Sequence, residues 1–255
     1  PGAAQKTIGE AAMIPKTIHY CWFGCGEKPK LAQKCIDSWK AFFPDYEICE
    51  WNERNYDVAQ ISYTRDAYAA GKYAFVSDYA RFDILYRYGG LYFDTDVEVI
   101  RPFGDILARG AFMGCEQDGG TARGIMVNPG LGLAAAPGLG LYQEITDYYS
   151  TQRFLRADGS GDLTTVVTRV TEILRRHGLR DEPGLQAVDG VTIYPAEFFN
   201  PLESTTGRLT KTDNTHSIHW YSKSWLPKST QLRCKITNAC RRALGERCFD
   251  WLKRT

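Results

Sequence analysis

The 255-residue sequence contains no run of about 18 apolar residues, the length a membrane-spanning helix needs. It has no excess of either charge: 31 basic and 30 acidic side chains leave a formal net charge of +1. No global basic field therefore exists to draw in nucleic acid. There is no Cys-x-x-Cys pair. The 8 cysteines, at positions 21, 25, 35, 49, 115, 234, 240 and 248, are scattered, and Cys21-x-x-x-Cys25 has no companion pair or histidine cluster, so a zinc site is not expected. No leader peptide pattern is visible. These absences predict reduced thiols, mostly serving as small buried hydrophobes, and a cytoplasmic location.

What remains is the composition of a globular chain, with 44% apolar and 24% charged residues, long enough for one domain with a sizeable core. Aromatic residues reach 13%, which suits core packing and also stacking on sugars and bases. Residues 1–12 are small and polar without periodicity and read as a remnant or linker ahead of Met13. Residues 13–230 read as the domain, and 231–255 as an appended C-terminal helix.

The domain opens as strand, helix, strand. Ile14–Phe23 has strand character and runs into a loop at Gly24 and Gly26. That loop lacks the third glycine of a dinucleotide fingerprint. Pro29–Phe43 places Leu31, Cys35, Ile36, Trp39 and Phe42 on one helical face, and Tyr46–Trp51 is a second strand. A βαβ start predicts an α/β fold with a mostly parallel sheet, in which ligands bind at the carboxyl ends of strands. Further on, the pattern predicts helices over Ile61–Lys72, Leu139–Tyr149 and Leu163–His177, strands over Ala111–Glu116 and Val191–Pro195, and a small-residue loop over Asn128–Gly140.

The chain is organised around Phe75–Ile100, FVSDYARFDILYRYGGLYFDTDVEVI. Phe75, Tyr79, Phe82, Leu85 and Tyr86 recur at helical spacing, and Gly89-Gly90 supplies a helix stop. Leu91–Ile100 then reads as a strand carrying Asp94 and Asp96. Alternate strand side chains lie roughly 6.6 Å apart on one face, so Tyr92, Asp94 and Asp96 point the same way if the strand stays extended. Two carboxylates in an apolar strand need a cation, a pairing base or a strand end. A hard divalent ion completed by phosphate oxygens is one solution; exposure at a strand end, or pairing with Arg81 or Arg87, is another. Asp78 and Arg81, three apart, share a helix face that leans toward the acids.

The block SDYARFDILYRYGGLYFDTDV resembles the sugar-nucleotide site of glycosyltransferase family 32, which includes yeast-type α-mannosyltransferases and bacterial capsule and lipopolysaccharide enzymes, and is related to the glucosylating domain of clostridial toxins. The opening Ile14-Pro15-Lys16-x-Ile18-His19-x-x-Trp22 is similar to the start of family members, and His216–Trp225, HSIHWYSKSW, resembles their closing segment. The resemblance implies a GT-A fold: a Rossmann-like nucleotide-binding half on a mostly parallel mixed sheet, with a smaller C-terminal half facing the acceptor. It implies a Mn²⁺ or Mg²⁺ ion on Asp94, Asp96 and His219, and a UDP-sugar as the favoured donor. Trp22 would stack on the base, and Asp78 and Arg81 would hold the donor sugar. Tyr92 would line the pocket, Asn128 would lie beside the donor, and Ser224 and Trp225 would contact the diphosphate. Gln117 and Asp118, after a strand end, are candidates for donor-sugar or acceptor contact. A Thr-Gly-Pro motif common in the family is replaced here by Gly161-Asp162-Leu163-Thr164.

The expected activity is transfer of a hexose, with retention, to a glycan or lipid-linked glycan in surface polysaccharide synthesis; a protein acceptor is the toxin-like alternative. A phosphatase of the Asp-x-Asp type and a carbohydrate-binding module are rivals from other classes. The phosphatase needs a loop straight after the acids, where this chain continues as Val97-Glu98-Val99-Ile100. In the tail, Ile236, Ala239, Cys240, Ala243, Leu244, Cys248, Trp251 and Leu252 form an apolar stripe beside six basic and two acidic residues between Lys235 and Arg254. That pattern suits either packing on the domain or peripheral contact with an anionic membrane face.

Overall fold

The computed structural model describes residues 13–120 and 124–222 together with Thr237. Residues 1–12, Ser224 and Trp225, and the expected basic helix at 231–255 lie outside the described residues, Thr237 apart.

The βαβ start forms as its pattern predicts. Strand β1 (Thr17–Cys21) leads into α1 (Lys30–Phe42), which buries Ala32, Cys35, Ile36 and Trp39, and β2 (Glu47–Trp51) returns parallel to β1. Helices α2 (Ser62–Ala69) and α3 (Tyr73–Tyr88) follow. Helix α3 is buried on nearly every side, so its polar residues Asp78, Arg81 and Asp83 must find partners inside the protein. It ends at Gly89 (φ 65°), and Gly90 (φ 97°) opens β3 (Gly90–Tyr92), which pairs parallel with β1. A Cβ at Gly90 would lie 2.6 Å from the Thr17 carbonyl, so both φ and proximity demand glycine there. The same turn is pinned by His19, whose Nε2 lies 3.0 Å from the Gly89 carbonyl while Nδ1 accepts the Trp51 indole N–H at 3.1 Å.

The strand expected over Leu91–Ile100 is two short strands. β3 stops at Tyr92, β4 (Val97–Val99) resumes after the acids, and Val97 N–H bonds the Asp94 carbonyl at 3.0 Å to close a turn. A strand ladder offers no partners for two buried carboxylates; a turn can aim each at its own. Asp94 and Asp96 therefore do not share one strand face with Tyr92.

After α4 (Gly104–Leu107) come β5 (Phe112–Asp118), β6 (Ile125–Val127), a 3₁₀ turn at Pro129–Leu131 and β7 (Leu133–Ala135). The segment expected as a small-residue loop thus supplies a turn and a sheet strand: its small residues lie between β3 and β5, where Leu133, Ala134 and Ala135 are fully buried. Helices α5 (Gly140–Thr151) and α6 (Val166–Arg176), strands β8 (Gln186–Val188) and β9 (Val191–Tyr194), the short α7 (Ala196–Phe199) and β10 (Ser217–His219) complete the order.

The main sheet runs β2-β1-β3-β7-β5-β9-β8, with β6 on β5, and β10 pairs antiparallel with β4 in a separate ribbon. β7 and β8 are the antiparallel members of the main path, so the fold is α/β with a mixed, mostly parallel sheet. Two apolar clusters sandwich it. One gathers Val76, Phe82, Tyr142 and Ile173 from α3, α5 and α6; the other gathers Trp39, Phe93, Phe103 and Phe199 from the α1 and α7 side.

Candidate functional site

β1, β2 and β3 run parallel; β7 reverses against both β3 and β5, which makes β5 parallel to them, and β9 follows β5. Their carboxyl ends therefore share one edge, which carries Trp22, Trp51, the Asp94–Asp96 turn and Glu116–Asp118. This is where α/β sheets bind ligands.

Arg81 is the hub. It is 3% exposed, and its Nη2 lies 3.0 Å from Asp78 Oδ1 and 3.2 Å from Asp94 Oδ1, while Nε donates to the Ser77 carbonyl at 3.1 Å. Its guanidinium sits 5.1 Å from the Tyr92 ring centre, and the Tyr92 hydroxyl donates to Asp94 at 3.2 Å. Nη1 is buried without a partner among the described residues. Burial opposes the Arg81 charge, but Asp94, Tyr92 and Asp78 outweigh it and raise the guanidinium further. Burial raises Asp94, partly countered by Arg81, and pushes Asp78 up to about 7 against the same counter-charge. Asp78, Arg81, Tyr92 and Asp94 are thus brought together as expected. Of the two bases considered, Arg81 reaches Asp94, whereas Arg87 pairs with Asp83.

Asp96 belongs to a second cluster. Its Oδ1 lies 3.1 Å from His219 Nε2, and its Oδ2 accepts the Ser222 N–H at 2.7 Å. Burial opposes the charged form, yet His219 and Ser222 outweigh it and hold the Asp96 carboxyl well below the usual range. Burial likewise opposes the His219 charge, and Asp96 outweighs it to raise the imidazole. Pairing of β10 with β4 is what delivers His219 to the acids, across 122 residues of sequence.

A divalent ion fits part of this set. Carboxylate oxygens suit Mg²⁺ or Mn²⁺, which are held by one or two carboxylates completed by phosphate and water. Asp94 and Asp96 could hold such an ion. Of the expected trio, His219 Nε2 lies 3.1 Å from Asp96 Oδ1, and among the described residues no three His, Cys, Asp or Glu side chains are grouped as a ready-made metal cage. The His219 Nε2 contact pairs the imidazole with Asp96, and its buried Nδ1 has no partner among the described residues.

The remaining candidates divide. Trp22 follows β1 at the site edge, half-buried; its indole N–H donates to the Gly26 carbonyl at 2.6 Å and its side chain packs against the apolar cluster of Trp39 and Phe93. Asn128 uses its side-chain atoms internally: its amide donates to Glu116 at 2.8 Å and its carbonyl accepts from Gly130 N–H at 2.8 Å. It shapes the 3₁₀ turn behind Asp94. A Cβ on Gly130 would lie 2.2 Å from Asp94 Oδ2, so the close approach requires glycine. Asp118 accepts the Ala196 N–H at 2.6 Å and Gln117 donates to the Gly124 carbonyl at 3.1 Å. Sequence reasoning missed Glu116, Gly130 and Ser222. Gly130, one residue after Pro129 in a small-residue stretch, carried the best available signal.

Residues 29–113 match the family model described as a glycosyltransferase sugar-binding region containing a DXD motif, and the match encloses Asp78, Arg81, Tyr92 and both acids of the turn. Residues 29–113 are thus similar to a glycosyltransferase sugar-binding region. Over 125 residues it is 32% identical to inositol phosphoceramide mannosyltransferase 3 of Schizosaccharomyces pombe, covering 46% of this chain and 34% of that relative, so it spans about a third of the curated protein it matches. Among solved structures, PaToxG glycosyltransferase overlaps at 18% identity and a TM-score of 0.46, over 64% of this chain and 69% of the other. Galactosyltransferase LgtC, solved with donor and acceptor sugar analogues, overlaps at 15% identity and a TM-score of 0.45, over 94% and 100%. These overlaps are too loose to fix the role of any residue.

Proposed function

We propose that this chain is a GT-A-type glycosyltransferase that moves a hexose from a nucleotide diphosphate sugar, with UDP-sugars favoured, to a carbohydrate hydroxyl in surface glycan synthesis. The observation that carries the reading is the joint placement, at the carboxyl edge of the sheet, of the Asp78–Arg81–Asp94 ion triad beside the Asp96–His219 pair. Asp94 and Asp96 would hold Mn²⁺ or Mg²⁺, which when bound supplies positive charge against the diphosphate oxygens. Arg81, buried and with its Nη1 lacking a partner among the described residues, supplies fixed positive charge at low dielectric, and such preorganised groups favour developing negative charge. Asp78 accepts from the donor sugar's hydroxyls, and Trp22 offers a ring face to the base. Ser224 and Trp225, which lie outside the described residues, are proposed as further diphosphate contacts on the sequence resemblance alone.

Transfer forms the bond between the acceptor oxygen and the anomeric carbon as the bond to the diphosphate breaks, and the acceptor proton passes to the departing diphosphate. Attack on the face that the diphosphate leaves gives retention. Strand β4 follows directly after the acids, where an Asp-x-Asp phosphatase needs a loop, and Asp94 is paired with Arg81 and Tyr92, which does not suit a free carboxylate nucleophile.

The test needs no acceptor. The protein is incubated with UDP-glucose, UDP-galactose, UDP-N-acetylglucosamine and GDP-mannose, each with Mn²⁺, Mg²⁺ or EDTA, and release of free sugar is followed. Slow metal-dependent hydrolysis of one donor is expected. No hydrolysis of any donor, or hydrolysis indifferent to EDTA, overturns the reading.

A further inference from the structure

The consecutive residues His219 to Ser222 are fitted around Asp96. His219 Nε2 meets Oδ1 at 3.1 Å, the Trp220 N–H donates to the Asp96 backbone carbonyl at 2.9 Å, and the Ser222 N–H donates to Oδ2 at 2.7 Å. Between these contacts Tyr221 takes a left-handed φ of 48°, a conformation uncommon for a bulky residue. Its ring centre lies 4.2 Å from that of His219. The left-handed residue turns the chain out of the ribbon and brings Ser222 back to the carboxylate. A disfavoured turn of this kind persists where the surrounding structure fixes its flanks.

Trp220 is the flank that is fixed from outside the acid cluster. The β4–β10 register pairs Ile218 with Glu98, so Trp220, two residues further on, is the diagonal neighbour of Glu98. Its indole N–H donates to Glu98 Oε2 at 2.8 Å, and the same oxygen accepts from Lys34 Nζ at 2.6 Å. The Lys34 ammonium also lies 5.1 Å from the Trp220 ring centre, within cation–π range. The Glu98 side chain is 16% exposed, so water competes weakly for these bonds. Glu98 sits on a strand held from both sides of it: the Val97 carbonyl accepts the Trp39 indole N–H at 2.8 Å, and the Val99 N–H donates to Ser38 Oγ at 2.9 Å. Lys34 and Ser38, four apart, share one face of α1. Helix α1 thus braces β4, β4 braces Trp220, and Trp220 braces the turn that holds Asp96.

We propose that Trp220, seated by Glu98, is a positioning residue for the divalent ion: it fixes the 219–222 segment, which sets the orientation of the Asp96 carboxylate. This rests on the reading above that Asp96 holds the ion. It predicts that metal affinity can fall while metal-free affinity for the nucleotide stands.

The experiment compares wild type, W220F, E98L, E98Q and D96N, each checked for its melting temperature. Mn²⁺ affinity is read from the electron paramagnetic resonance signal of the free ion in the presence of UDP or GDP. Affinity for the same nucleotide is measured by calorimetry in EDTA. W220F and E98L remove the donor and the acceptor of the indole bond, and each should weaken Mn²⁺ binding about tenfold with nucleotide affinity in EDTA unchanged. E98Q keeps an acceptor oxygen for the indole and should stay within about threefold of wild type. E98L decides the question if W220F fails to fold. Unchanged Mn²⁺ affinity in both, even with a lowered melting temperature, makes the bond merely structural and overturns the proposal. A parallel loss of nucleotide affinity in EDTA, or a loss of Mn²⁺ affinity in E98Q as large as in E98L, overturns it too. D96N tests the underlying reading by itself: if it binds Mn²⁺ no more weakly than wild type, Asp96 does not hold the ion. If D96N weakens binding and neither W220F nor E98L does, the site reading stands and the role of Trp220 falls.

Discussion

His19 gives a prediction about stability that is independent of any substrate. It is 3% exposed and bonded at both ring nitrogens, accepting from Trp51 and contacting the Gly89 carbonyl. An imidazole that accepts at Nδ1 and donates at Nε2 must be neutral. Burial lowers its pKa from 6.5 to about 4, only partly offset by the bond to Gly89. The unfolded chain therefore takes up a proton near pH 6.5 that the folded chain refuses until about pH 4. The stabilisation is present in full above 6.5 and is lost as the pH falls toward 4. At 1.36 kcal/mol per unit the gap is worth about 3 kcal/mol, of which about 2.5 kcal/mol should disappear between pH 7.5 and 4.5. Urea unfolding of wild type and H19Q at several pH values isolates this term, because other titrating groups act on both proteins. H19Q should be the less stable at pH 7.5, and the difference should shrink by about 2 kcal/mol at pH 4.5. Two stability curves that run parallel across this range would refute the claim that His19 is held neutral.

Four other outcomes follow from the geometry. Asp96→Asn removes the charge that His219 and Ser222 are arranged around, and should lower donor hydrolysis by a factor on the order of 10² to 10³ while near-UV circular dichroism is retained. Gly130→Ala places a methyl group where Asp94 Oδ2 lies; a displacement of about 1 Å should cost roughly a hundredfold in turnover, with at most a few degrees of change in melting temperature. Trp39→Ala empties a fully buried site and strands the Val97 carbonyl, which accepts the indole N–H at 2.8 Å, so urea unfolding should show a loss of about 3–5 kcal/mol. Liposome flotation with and without residues 231–255 tests the membrane proposal; equal binding to anionic vesicles by both forms ends it.

The sequence was most legible where local rules and tertiary structure agree. Helix α3 and its stop at Gly89-Gly90 could be read because the apolar period and the left-handed glycines coincide in one stretch. The shared face of Asp78 and Arg81 follows from a spacing of three, and the structure joins them at 3.0 Å. The same local logic failed one turn later. Alternation in Leu91–Ile100 says strand, but it does not contain the energetic cost of burying Asp94 and Asp96, which is met by Arg81 on a helix and by His219 and Ser222 more than 120 residues away. β6, β7 and β8 were invisible for a related reason: three residues are too few to show a period, and their partners alone make them strands.

The part of the site that local reading cannot supply has a common physical character. Each hidden contact satisfies a buried charge or a buried backbone group from a distant segment: Ser222 N–H on Asp96, and the Gly130 carbonyl on the Asp94 N–H. Backbone N–H groups and glycines carry no side-chain signature, so no motif announces them. A buried carboxylate nevertheless announces a debt that something must meet. The acids of this chain thus state the demand in sequence, and only the sheet order and the β4–β10 ribbon reveal the suppliers. Substitutions at the suppliers should therefore mimic, in weaker form, substitutions of the acids they hold.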